Sequence, residues 1–181
     1  MSVINPLIYE HHLILRMVEL LKKESEYINE TNKTHPEFIK TVIDFFRTYA
    51  DKCHHGKEED ILFRELHKKE ISEEHLGIMN NLIDDHIKAR GYIKQLEKNN
   101  KHYIDGDLQI VNQIQSIIKK LVELYPQHID IENHHFFKDV MQYFSEDEKR
   151  AMSDESFEFD KKMIHRKYTD IIEFFETKRK S

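Results

Sequence analysis

The chain has 181 residues, of which 34 are acidic and 28 basic, for a formal net charge of -6 with histidine neutral. That length predicts one domain with a real core, the mild acidity tells against nucleic acid as the main partner, and 4 glycines with 3 prolines are too few for a sandwich or barrel of many tight turns. One cysteine excludes an intramolecular disulfide and a thiolate metal cage and fits a reducing compartment, while no apolar run approaches the roughly 20 residues of a membrane span.

The opening MSVINPLIYEHH lacks the basic-then-apolar pattern of a secretory leader, so a cytoplasmic protein is expected. Asn5-Pro6 is a helix-start signal, a capping side chain followed by a proline at the first helical position. Leu7, Ile14, Leu15, Val18 and Leu21 then recur at helical spacing, and the pattern fades over Asn29 to Lys33. Thr34-His35-Pro36-Glu37 reads as a capping box opening a long amphipathic segment from Phe38 through Phe46, Ala50 and Leu62 to Leu66. Ser72 starts a third helix carrying Leu76, Met79, Leu82, Ile83, Ile93 and Leu96, expected to end near Asn99-Asn100. Asp105-Gly106-Asp107 opens a fourth with Ile110, Ile114, Ile117, Leu121 and Leu124, which Pro126 should kink or restart. Ser145-Glu146-Asp147-Glu148 is another capping box, and a last helix is expected from about Ser156 through Tyr168 to Phe175. No strand-like alternation competes.

The expectation is therefore all-α: an up-down-up-down four-helix bundle with an additional C-terminal helix. It spans residues 1–181 as a single domain, with the four-helix core at about 5–144 and a C-terminal extension at about 145–181.

The 13 histidines carry the chemical signal. His54-His55-Gly56-Lys57-Glu58 and His128-Ile129-Asp130-Ile131-Glu132 both contain His-x-x-x-Glu, followed by bulky apolar residues. Residues four apart share a helix face, so each motif can offer an imidazole and a carboxylate to one centre. At a 3.6-residue period His54 continues the line Phe46, Ala50, Glu58, Leu62, whereas His55 continues the more polar line Arg47, Asp51, Glu59. The inward pair is thus His54 and Glu58. The same test selects His11 over His12, places His86 below Met79, Leu82 and Ile83, and puts His128 with Glu132 beneath Leu121 and Leu124.

A lone buried histidine is ordinarily a hydrogen-bonded core residue. Four inward histidines with two matched glutamates are harder to accommodate that way, because burying six polar groups without a compensating centre is costly. Nitrogen and oxygen donors without thiolate suit iron, manganese or zinc, and six donors with two carboxylates able to bridge suit a pair of ions better than one tetrahedral zinc. His12, His55, Glu59 and His134 are expected at the rim or in solvent, His35, His67, His75 and His102 near helix ends, and Cys53 in the core.

The strings Tyr9-Glu10-His11-His12-Leu13-Ile14, Cys53-His54-His55-Gly56-Lys57-Glu58-Glu59-Asp60-Ile61-Leu62-Phe63, Asp85-His86 and His128-Ile129-Asp130-Ile131-Glu132 resemble the hemerythrin-like (HHE cation-binding) domain family. The likeness covers about residues 5 to 145, and the double His-x-x-x-Glu is its most specific part. It implies a four-helix bundle holding two iron ions with an oxo or hydroxo bridge, with His11, His54, Glu58, His86, His128 and Glu132 as metal ligands. Relatives with the HHGKEED string also share a tail like Glu158 to His165, which makes the last helix a subfamily feature.

Two departures from the oxygen-carrying hemerythrins stand out. Arg90 occupies the position of their second third-helix histidine, and the last motif is His-x-x-x-Glu rather than His-x-x-x-x-Asp. Both tell against reversible oxygen carriage. His135 and His165 are the further candidates to complete coordination. The resemblance implies a protein that binds or senses dioxygen, nitric oxide or peroxide at an open iron position; a redox partner is a candidate the sequence does not name, and the lack of a long apolar run tells against a membrane. The alternatives are a peroxide- or oxygen-consuming di-iron enzyme, or a regulatory iron-binding bundle without turnover.

Overall fold

The computed structural model describes residues 3–159 and 163–178, without the side chains of 163–166. Among them the chain is all helical, with short connections and no strand. Helix α1 runs Ile4–Thr31 and ends at Asn32, whose positive φ of 52° closes the helix with a backbone bond to Ile28. A second rod begins as α2, Pro36–Phe45, and continues through π-helical Phe46–His55 and Glu58–Phe63 into α3, Arg64–Leu66. Helix α4 spans Glu73–Ile104, with Ser72 accepting a cap bond from the His75 amide. A 3-10 turn, Leu108–Ile110, leads into α5, Val111–Ile131, and π-helical Glu132–Phe136 joins α5 to α6, Phe137–Val140. After a 3-10 turn at Met141–Tyr143 come α7, Glu146–Phe159, and α8, Met163–Lys178.

Local signals differ from the sequence expectation in instructive places. Thr34 does not cap α2; buried Glu24 of α1 does, accepting from the Thr34 hydroxyl at 2.8 Å and from the His35 amide at 2.7 Å. A carboxylate reaching from the preceding helix fixes the α1–α2 turn more firmly than a local hydroxyl could, because it binds two donors at once. Pro126 lies inside α5 without restarting it, and the break comes six residues later at the π segment. Helix α4 overruns Asn99-Asn100 to Ile104. The extension holds two helices rather than one starting at Ser156, which is buried inside α7. Its capping box is present: Glu148 accepts from the Ser145 amide at 2.8 Å and the Glu148 amide donates to Ser145 Oγ at 3.4 Å.

Packing sorts the apolar residues into two clusters with a polar layer between them. One holds Ile14, Ala50, Ala89, Tyr125 and Ile129, the other Leu7, Leu62, Leu82, Phe136 and Phe137. Each long rod crosses the layer once. Helix α1 passes from Leu7 through His11 to Ile14, and the second rod from Ala50 through His54 to Leu62. Helix α4 passes from Leu82 through His86 to Ala89, and the fourth rod from Tyr125 through His128 to Phe136. Successive rods cross in alternating sense.

The extension covers the second rod: α7 packs on Glu58–Phe63, and α8 packs on α1 and on Phe46–His55. Tyr168 and Ile172 anchor α8 in the first cluster, and Arg16 holds Glu176 with two bonds of 3.0 and 2.8 Å. No described helix is long and apolar enough to cross a membrane.

Candidate metal centre

The π-helical segments lie at or next to both His-x-x-x-Glu motifs. A π-helix bonds residue i to i+5, widening the turn, and such segments are concentrated at functional sites. Here the wider turn brings both His54 and His55 inward, with 1% and 2% exposure. The expectation that His55 faces the rim or solvent is therefore wrong: a 3.6-residue face count does not hold across Phe46–His55. Its ring stacks on His86 with centroids 3.8 Å apart.

Among the described residues, buried donors form two groups, His55, Glu58, His86 and His128, and His11, His54, Glu58 and Glu132. Within each group the donor atoms lie within 4.8 Å of one another, and Glu58 belongs to both. Nε2 of His11 faces Nε2 of His54 at 3.0 Å, and Nε2 of His86 faces Nε2 of His128 at 3.3 Å. Glu58 sets Oε1 3.3 Å from His54 Nε2 and Oε2 3.3 Å from His86 Nε2. Glu132 does the same on the other side, with Oε2 3.0 Å from His11 Nε2 and Oε1 3.2 Å from His128 Nε2. Both carboxylates thus span the two groups, one oxygen to each.

Three outer ring nitrogens are hydrogen-bonded from behind. His54 Nδ1 meets Glu10 at 2.9 Å, His86 Nδ1 meets Glu59 at 2.6 Å, and His11 Nδ1 meets the Asn133 side-chain oxygen at 2.9 Å. His128 Nδ1 lies 3.8 Å from Asp85, and His55 Nδ1 lies 3.6 Å from Asp51. Those carboxylates are themselves held by cations: Glu10 by Lys57, Asp85 by Lys88 at 2.7 Å, Asp51 and Glu59 by Arg90 at 2.6 and 2.8 Å. Such support fixes ring orientation and turns the inner nitrogen of His54, His86 and His11 toward the centre.

Electrostatics follow from this crowding. Burial pushes the His11, His86 and His128 imidazoles down, but the Glu132, Glu58 and Glu59 carboxylates beside them prevail and hold all three above the usual histidine range. His55 is pushed well below that range by its burial and by the neighbouring imidazoles of His86, His54 and His128. Burial favours a neutral Glu132, yet His128 and His11 hold it well below the usual carboxylate range. Phe137 stacks on His11 and Phe63 on His86, closing apolar rings over the polar layer.

The six residues singled out from sequence meet in this cluster, joined by His55. His135 does not: it is exposed and outside both groups, because the turn at Glu132–Phe136 leaves it on the outer face. The His165 side chain lies outside the described residues. Glu10 and Lys57, both buried, were missed altogether. A signal existed for Glu10, which shares the stripe of Leu7, Ile14 and Met17.

A family model, the hemerythrin HHE cation binding domain, matches residues 2–140. No curated protein matches the chain.

Proposed function

The chain belongs to the hemerythrin HHE cation-binding domain family, and from that premise we propose that it is a non-heme di-iron protein, its ions joined by an oxo or hydroxo bridge, that binds or senses dioxygen, nitric oxide or peroxide at an open iron position. One observation carries the reading. All four oxygens of Glu58 and Glu132 are fully buried and none accepts a well-aligned hydrogen bond. Buried carboxylate oxygens that rest on imidazole nitrogens without aligned hydrogen bonds are costly, and a pair of cations between the two imidazole groups would satisfy all four. The donor set of five imidazoles and two carboxylates, without thiolate, fits iron.

His55, His86 and His128 would hold one ion, His11 and His54 the other, with Glu58 and Glu132 shared. Among the described residues the His11–His54 group offers one imidazole fewer, which is why we place the open position there. Iron bound in this way supplies a redox-active Lewis acid. The protein's own part is to keep the imidazoles oriented from behind and to exclude bulk water with Phe137 and Phe63. The alternating crossings of the polar layer support an up-down-up-down four-helix bundle around the centre, and single Cys53 fits a cytoplasmic setting.

A second reading, a regulatory iron-binding bundle without turnover, draws on one feature. The extension packs directly on the helical segments that carry the ligands, with Phe159 set against Gly56. Purification without oxygen, metal quantification, and optical spectra before and after dioxygen, nitric oxide and peroxide separate these readings. The proposal expects two irons per chain and a new absorption band with at least one of the three. A spectrum indifferent to all of them favours regulation, and a folded protein that takes up no iron contradicts both.

A further inference from the structure

We propose that Lys57 is a positioning residue of the centre, acting through Glu10 on His54; this rests on the reading that the cluster holds iron. A lysine is almost never fully buried unless it is paired, yet Lys57 is 2% exposed and lies between the two π-helical segments that carry the ligands. Its ammonium donates to Glu10 Oε1, the other Glu10 oxygen accepts from His54 Nδ1 at 2.9 Å, and His54 Nε2 faces Glu58 and His11. An unbroken chain therefore runs from a buried positive charge to a donor nitrogen of the two-imidazole group.

The other supports differ in kind. Behind His11 stands a neutral amide, Asn133, and behind His55, His86 and His128 stand carboxylates that are partly exposed and clasped by exposed Arg90 or Lys88. Water screens those charges. Glu10 and Lys57 lie where little screening reaches, so their charges act on His54 at close to full strength. The Glu10 carboxylate strengthens His54 as a donor, and the Lys57 ammonium offsets that carboxylate, keeping the ion beside His54 easier to reduce than Glu10 alone would leave it.

The test compares iron-loaded parent protein with Glu10→Gln/Lys57→Met, Lys57→Met and Lys57→Arg. Measured are iron per chain, the rate of ferrous release to a chelator, the ferric/ferrous midpoint potential, and the thermal midpoint of each metal-free form. The double variant removes both members of the Lys57–Glu10 ion pair together. Its metal-free thermal midpoint stays close to the parent's, while ferrous release is about 10- to 100-fold faster. Lys57→Met lowers the potential, and Lys57→Arg restores it. If the double variant folds and releases iron within twofold of the parent, or if Lys57→Met leaves the potential unchanged, the pair is structural and the proposal is overturned. Should the double variant not fold, the Lys57→Met and Lys57→Arg comparison decides alone. A parent that takes up no iron overturns the proposed function and this proposal together, whereas loading of the parent with unaltered variants overturns only this one.

Discussion

The ring of His55 lies nearly flat on that of His86, with planes 13° from parallel and centroids 3.8 Å apart. In a helix of ordinary pitch His55 would follow Asp51 along the polar line of the second rod; here it belongs to the donor group of His86 and His128. Replacing His55 with alanine should therefore reduce iron per chain, as should His54→Ala and Glu132→Ala. His12→Ala, on the exposed face of α1, should leave it unchanged. Elemental analysis of the four purified variants checks this, and full iron content in His55→Ala would return that residue to the rim.

Arg90 clasps Asp51 and Glu59, the carboxylates behind His55 and His86. Because the guanidinium is 38% exposed, solvent discounts the clasp as a source of stability. Arg90→Ala should cost less than about 1 kcal/mol, a fall of roughly 2–4 °C in thermal midpoint for a chain of this size. Iron release should nevertheless quicken about tenfold, since the carboxylates lose their anchor. Calorimetry and chelator kinetics on one preparation separate the two effects.

The metal-free protein should be most stable in mildly acidic solution. His11, His86 and His128 are raised in the folded chain, so their contribution is full below the unfolded value near 6.5 and is lost as pH rises through the folded values, about 10 for His128. Glu132 is depressed, so its contribution is present above about 4.5 and is lost as pH falls. His55 is lowered, so it costs stability as pH falls below about 6.5, and a metal-free thermal midpoint that peaks near pH 6–6.5 and declines toward pH 9 is the expected profile. One that climbs steadily from pH 6 to 9 would contradict it.

Metal binds neutral imidazole, so iron uptake should release protons at pH 7, and the thermal stabilisation by iron should grow as pH rises. At free iron a thousandfold above Kd the gain is about 4 kcal/mol. Uptake in weakly buffered solution with a pH indicator measures the release, and uptake without proton release would show that the histidines start neutral.

The helical stripes were legible because Leu7, Ile14, Leu82, Ile114 and Leu121 repeat at a period that ordinary helices keep, and that period alone brought six donors to one layer. It failed where the backbone left it. Across Phe46–His55 the π-helical turn changes which residues face inward, and no residue type announces such a turn. The charges of Glu10 and Lys57 masked their inward position, because an isolated charge on an apolar stripe reads as an interruption until its partner, 47 residues away, is known. The Glu24 cap of α2 was hidden for the same reason, being a contact between neighbouring helices rather than a local motif.

The most direct measurement is anomalous diffraction at the iron edge from crystals of protein loaded with iron in the absence of oxygen. Two peaks should appear, one among His55, His86 and His128 and one between His11 and His54, with Glu58 and Glu132 reaching both. A single peak, or a folded chain with none, would contradict a two-ion centre.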